Sequence, residues 1–288
     1  MRRASDPLTG ICLEDLLDSL GAAARGRALL RPVFRPAAQR FARTVRAFDD
    51  LVGVHGLAAG SQWLVQRMAG GMRVAGFSRV PSHGPLLVLA NHPGMIDTVA
   101  LFASLAARPD LRVIAQDRPF LRALPNVASR VLFVAGDGAS RSRVLRDGVK
   151  HLRQGGALLS FPAGRIEPDP VAAGAGPALE SLQGWSASFA LFARAVPQTH
   201  IVTAIVSQVV SAAASRHPLT RLRHAPADRD RLAATLQILW RPYRALPACV
   251  AFGTPYGVPG NGADGLRRAI IAQARMLMAT PMLADGHA

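Results

Sequence analysis

Apolar positions follow two rhythms along the chain, and the change between them near residue 70 divides the sequence. In the first part, Phe41, Val45, Phe48 and Val52 recur at three- and four-residue intervals, while Arg40, Arg43 and Arg46 fall on other faces. This periodicity predicts helices over residues 13–30 and 37–68. From residue 72 onward, short apolar runs take over at 72–77, 86–90, 111–115, 131–135, 157–161, 200–206 and 248–253, each of strand length. Helical patterns at 95–107, 140–154, 185–195 and 263–278 fit between or after them. Alternation of this kind predicts a layered α/β fold with a mainly parallel central sheet flanked by helices, preceded by an N-terminal helical segment. The division is then a helical segment over 1–70 and an α/β domain over 71–288. Residues 216–231, with Pro218, Pro226 and many arginines, read as an exposed insertion, and no internal repeat is present.

The basic amphipathic stretch has two readings. It can lie in a membrane interface with Phe34, Phe41, Phe48 and Trp63 inserted and its arginines on anionic headgroups. It can equally pack its apolar stripe on the neighbouring domain.

Composition narrows the class. A chain of 288 residues that is half apolar can bury a full core, and it suits one large α/β domain with a smaller segment. The formal charge of +16 is nearly all arginine, Lys150 being the single lysine, and it predicts acidic partners. Three kinds qualify: nucleic acid, an anionic membrane surface, and an acidic carrier protein or phosphorylated substrate. Nucleic acid is disfavoured, because aromatics are 6% of residues and no aromatic-interleaved basic strand, zinc finger or helix-turn-helix pattern is seen. Cys12 and Cys249 stand far apart without a C-x-x-C pattern, which suggests neither a disulfide framework nor a zinc site and fits a reducing compartment. Met1-Arg2-Arg3 is followed by Asp6, Pro7, Glu14 and Asp15 where a signal peptide needs an apolar core. The stretch 201–214 is interrupted by Thr203, Ser207, Gln208 and Ser211 and falls short of the roughly 20 residues of a membrane span.

The candidate chemistry lies directly after the apolar run 86–90, in Asn91-His92-Pro93-Gly94-Met95-Ile96-Asp97. A histidine can take a proton from a hydroxyl, and a carboxylate on its other ring nitrogen fixes the tautomer and stabilises the imidazolium. With 8 His and 15 Asp in 288 residues, a pair at this spacing arises by chance about 0.4 times, so context must carry the weight. Five residues along a regular helix turn through about 500°, which would point the two side chains apart. They meet only if His92 precedes the helix. Pro93 biases His92 toward extended geometry and Gly94 permits a bend, which leaves Asp97 in the first turn, where the helix dipole favours its charge and free N–H groups can face an oxyanion. A loop histidine beside a helix-capping aspartate is the plain alternative. His55, His83, His151, His217 and His224 have no partner at useful spacing. Gly260 to Gly265 satisfies G-x-G-x-x-G, but Pro255 and Pro259 separate it from the strand before it, so a helix-initiating loop is the better reading.

Three blocks in order resemble the phospholipid and glycerol acyltransferases, the group that includes bacterial 1-acylglycerol-3-phosphate acyltransferase. Asn91-His92 to Asp97 is similar to the family's NHx4D block, Phe161-Pro162-Ala163-Gly164 to a modified FPEG block, and His200 to Ile205 to the later strand. The resemblance covers roughly residues 72–278. It implies that His92 is a general base oriented by Asp97, and that an acceptor hydroxyl attacks the thioester of acyl-CoA or an acyl carrier protein, with no metal and no cofactor. It further implies that Asn91, Gly94, Phe161, Pro162, Gly164 and Arg165 surround the substrates, that the acceptor is a lysolipid, and that the enzyme works peripherally at the cytoplasmic face of an anionic membrane. The departures concern the acceptor. Ala163 replaces the family's glutamate, and Ile166 and Gly136 stand where the family's phosphate-binding arginines are expected, with Arg165 one step early and Arg130, Arg141 and Arg143 as neighbours. Branches of the family with the alanine acylate other lipid hydroxyls, such as those of lyso-ornithine lipids. A non-catalytic lipid- or membrane-binding protein that keeps the fold is the rival from another class, and a basic nucleic-acid-binding domain is a third reading.

Overall fold

A computed structural model describes residues 6–21, 24–257 and 262–279. Helices α1 (Pro7–Leu20), α2 (Ala24–His55) and α3 (Leu57–Met68) come first, followed by β1 (Met72–Ala75), β2 (Leu86–Ala90), α4 (Ile96–Ser104) and β3 (Arg112–Gln116). Two single turns, α5 (Pro119–Arg122) and α6 (Pro125–Ala128), lead to β4 (Val131–Val134), α7 (Gly138–Arg153) and β5 (Ala157–Ser160). Then come α8 (Ala175–Gln183), α9 (Ser188–Ala195), β6 (His200–Ser207), α10 (Ala212–Ser215), α11 (Pro226–Leu239), β7 (Ala248–Phe252) and α12 (Gly262–Met278).

All seven expected strands join one sheet in the order β1-β7-β6-β2-β5-β3-β4. The strands from β6 to β4 in that order run parallel, β7 pairs antiparallel with β6, and β1 is parallel to β7. β2 lies at the centre and is buried along its whole length, which is why it reads as an unbroken apolar run. Its alternate side chains supply two cores. Leu86, Val88 and Ala90 pack with residues of α1 to α4 and α11, whereas Leu87 and Leu89 pack with α7, α8, α9 and α12.

The N-terminal helices share the first of these cores. Ala38, Ala42, Val45, Phe48 and Val52 form the buried stripe of α2, and Phe41 stacks on Phe120 with ring centroids 6.0 Å apart. Phe48 is 4% exposed, so it is a core residue and not a membrane-inserting one. The buried Asp49 reinforces the seam by accepting from the backbone N–H groups of Asn126 and Val127, at 3.3 and 2.8 Å. The helix breaks differ from the expected gap between residues 30 and 37. They fall at Gly21 (φ 69°) and Gly56 (φ 85°), a region of backbone space that favours glycine. Pro32 and Pro36 lie inside α2, where both are exposed and water can satisfy the carbonyls they leave free.

Residues 216–231 are mostly exposed, as expected, but they carry regular structure. A 3₁₀ turn (Pro218–Leu222) precedes α11, whose Leu232, Ala233 and Leu236 are buried. Pro226 is the first residue of that helix, a position that needs no N–H, and so it starts the element instead of interrupting it. Trp185, expected in a helix, lies in the turn before α9, and α8 had no counterpart in the sequence reading. Gly260 and Asn261 lie outside the described residues.

One consequence of the topology governs the site. β2, β5 and β6 are parallel neighbours, so the segments that follow them leave from the same edge of the sheet. Because β7 returns antiparallel to β6, the connection 208–247 both leaves and re-enters at that edge.

Candidate active site

Asn91 ends β2 by clamping β6. Its Nδ2 donates to the Val206 carbonyl at 2.9 Å, and its Oδ1 accepts from the Val206 N–H at 2.7 Å. Expected among the residues around substrate, Asn91 is 1% exposed, and both ends of its amide are engaged with backbone. The clamp fixes where the chain leaves the sheet, and therefore where His92 stands.

Pro93 and Gly94 make the bend, and α4 begins at Ile96, so Asp97 sits in the first helical turn. His92 Nδ1 donates to Asp97 Oδ2 at 2.8 Å, and the same oxygen accepts the Gly94 N–H at 2.9 Å. Asp97 Oδ1 accepts from the Thr98 hydroxyl at 3.0 Å and from the Thr98 N–H. The Asp97 side chain is 0% exposed, while that of His92 is 26% exposed. A carboxylate can only accept, so the proton is on Nδ1 and Nε2 keeps a lone pair. Burial disfavours the imidazolium, but the Asp97 charge, its hydrogen bond and the more remote Glu167 charge outweigh that and hold His92 above its ordinary pKa.

The turn after β5 forms the second wall. The Phe161 ring lies 4.7 Å from the His92 ring, centroid to centroid. Gly164 (φ 62°) closes the turn by donating its N–H to the Phe161 carbonyl at 3.0 Å, and Ser186 N–H donates to the Pro162 carbonyl at 3.0 Å. Gln116, at the end of β3, reaches the Gly164 carbonyl through Nε2 at 3.3 Å. Arg165 is exposed, and its guanidinium lies near Gly184 without a partner among the described residues. Ala163 is half-buried against the second core, and Gly136 follows β4, its carbonyl 3.4 Å from Arg141 Nη2.

Two acidic residues absent from the sequence reading hold these walls together. Glu167 Oε2 accepts the His92 backbone N–H at 3.0 Å, and its own N–H donates to the His92 carbonyl at 2.9 Å. Its other oxygen accepts from Ser181 Oγ and Trp185 Nε1 at 2.9 and 2.8 Å. Burial raises its pKa, and these hydrogen bonds oppose the shift. Asp169, also buried, accepts from the N–H groups of Gln208 and Val209, which joins the turn after β5 to the segment after β6. The one sequence signal for Glu167 was scarcity, since the chain has 3 glutamates and this one stands beside the modified FPEG block.

Residues 71–207 match the Acyltransferase family model. The matched residues form an acyltransferase domain. The acyltransferase domain so defined spans β1 to β6 and holds both walls of the site, leaving α11, β7 and α12 outside the matched region. PlsC from Thermotoga maritima, a 1-acyl-sn-glycerophosphate acyltransferase, is a structural relative with 12% identity and a TM-score of 0.43 over 97% of this chain and 99% of that one. No curated protein matches the sequence.

Proposed function

We propose that this acyltransferase moves a fatty acyl chain from the thioester of acyl-CoA or an acyl carrier protein to the hydroxyl of a lysophospholipid or related polar lipid. His92 is the general base and Asp97 its orienting partner. The observation that carries this reading is the 2.8 Å pair itself, with the carboxylate fully buried and the imidazole partly open. Nε2 takes the hydroxyl proton as the oxygen attacks the thioester carbonyl, and Asp97 stabilises the resulting imidazolium. The N–H groups of Ile96 and Asp97, which the start of α4 leaves without intrahelical acceptors, are the donors this reading assigns to the oxyanion. Collapse of the tetrahedral intermediate breaks the carbon–sulfur bond, and the imidazolium returns its proton to the departing thiolate. The products are an ester and a free thiol, and the reaction so written draws on no metal or cofactor.

The working place is peripheral, at the cytoplasmic face of an anionic membrane, where a +16 chain meets both lipid and acidic carrier. Among the described residues, no helix is long and apolar enough to cross a membrane. Ala163, Ile166 and Gly136 support an acceptor headgroup other than a simple glycerol phosphate, with Arg165 as the cation nearest the modified block. Lipidomics of cells gaining or losing the protein tests the reading. The acylated form of one lysolipid should rise and fall with it, and a lipidome unchanged in both directions would overturn acyl transfer to lipid.

A further inference from the structure

The connection 208–247 stands at the same sheet edge as His92, and it is anchored to the site's own wall. The side chains of Val209 and Val210 come within 3.4 Å of the position a Cβ on Gly94 would take. Gln237 of α11 ties the start of this connection to its middle, donating to the Val209 carbonyl and accepting from the Ser211 N–H, both at 2.6 Å. Whatever binds the outer side of this segment is therefore held at a fixed position relative to the active site.

That outer side is apolar, aromatic and basic. Leu219 and Leu222 are one turn apart in the 3₁₀ segment and so share a face, where they are 38% and 66% exposed. The Leu219 N–H donates to His217 Nδ1 at 3.2 Å, the His217 ring meets Tyr243 edge-on at 6.1 Å, and Tyr243 stacks with Trp240 at 6.3 Å. Trp240 is 56% exposed, which completes a continuous surface from Leu219 to Trp240. Arg216, Arg221 and Arg241 are exposed around it, and neither 211–225 nor 239–247 contains an aspartate or glutamate. Exposed Trp and Leu accompanied by guanidinium groups, with the neighbouring Asp228 carboxylate held by Arg223 at 2.7 Å, are complementary to a layer with an apolar interior and anionic headgroups.

We propose that this face docks on an anionic phospholipid bilayer, with Trp240, Leu219 and Leu222 entering the interface and Arg216, Arg221 and Arg241 on lipid phosphates. Docking there sets the edge that carries His92 against the membrane surface, and the inference rests on the reading that the acceptor is a membrane lipid. The buried stripe of α2 takes no part.

Vesicles of phosphatidylcholine, with and without phosphatidylglycerol and with brominated acyl chains, test it on the full chain. Brominated lipid should quench tryptophan fluorescence, and Trp240→Phe should remove most of that quenching, because Trp185 is buried and Trp63 is covered by Arg67. Leu222→Asp should weaken vesicle binding by about ten-fold or more, from the loss of one buried leucine. Arg221→Glu should weaken it only where phosphatidylglycerol is present, and Leu29→Asp on α2 should change nothing. All these variants should keep wild-type thioester turnover with a water-soluble, monomeric short-chain acceptor. Quenching that survives Trp240→Phe, with Leu222→Asp binding as the wild type, overturns the surface. So does an Arg221→Glu defect confined to acyl carrier protein, which would make this a carrier-protein face. Vesicle binding through this face by a protein that turns over no acceptor would support the surface and remove acyl transfer.

Discussion

Asp97 Oδ2 accepts two hydrogen bonds at once, from His92 Nδ1 at 2.8 Å and from the Gly94 N–H at 2.9 Å. The bend that brings the pair together is thus held by the same oxygen that orients the base. Asp97→Asn keeps the shape but removes the charge that stabilises the imidazolium. The expected result is a fall in kcat of about 10³-fold or more, with little change in KM and an unaltered circular dichroism spectrum. A loss below about ten-fold would mean that Asp97 serves only the bend.

The pH profile follows from the direction of the His92 shift. Catalysis needs neutral Nε2, so kcat/KM should rise with pH through a limb above 6.5, the ordinary histidine value. Glu167 contributes negative charge that favours the imidazolium. Glu167→Gln removes that charge, so the folded His92 pKa falls and the limb moves to lower pH. A limb that stays in place or moves upward in a pH–rate series contradicts this coupling.

Asn91→Ala addresses the clamp between β2 and β6. The substitution leaves the buried N–H and carbonyl of Val206 without their side-chain partners. Unsatisfied buried groups cost about 1–3 kcal/mol each, so urea unfolding should show a loss of about 2–4 kcal/mol. A change under about 0.5 kcal/mol would mean that water or a shifted strand replaces the clamp.

The sheet was legible because parallel strands buried on both faces leave continuous apolar runs, as 86–90 and 200–206 do. The His92–Asp97 pair was legible for a different reason: Pro93 and Gly94 restrict local geometry enough that a five-residue spacing implies a bend. Glu167 was not legible, since its role depends on the turn after β5 meeting the backbone of His92 just beyond β2, a tertiary contact with no local pattern. The apolar stripe of α2 suited a membrane and a protein core equally, and only the position of the sheet distinguishes them. In α11 the charged first half, with Asp228, Arg229, Asp230 and Arg231, hid a helix whose second half is buried: Leu232, Ala233, Ala234, Leu236, Gln237 and Ile238.

Thioester consumption by His92→Ala tests the central claim most directly. The variant is to be compared with wild type in the presence of the responding lysolipid, with vesicle binding and unfolding measured on the same samples. The expected result is a fall in turnover of roughly 10²- to 10⁴-fold, with binding and stability unchanged. Turnover equal to wild type would contradict the assignment of His92 as the base.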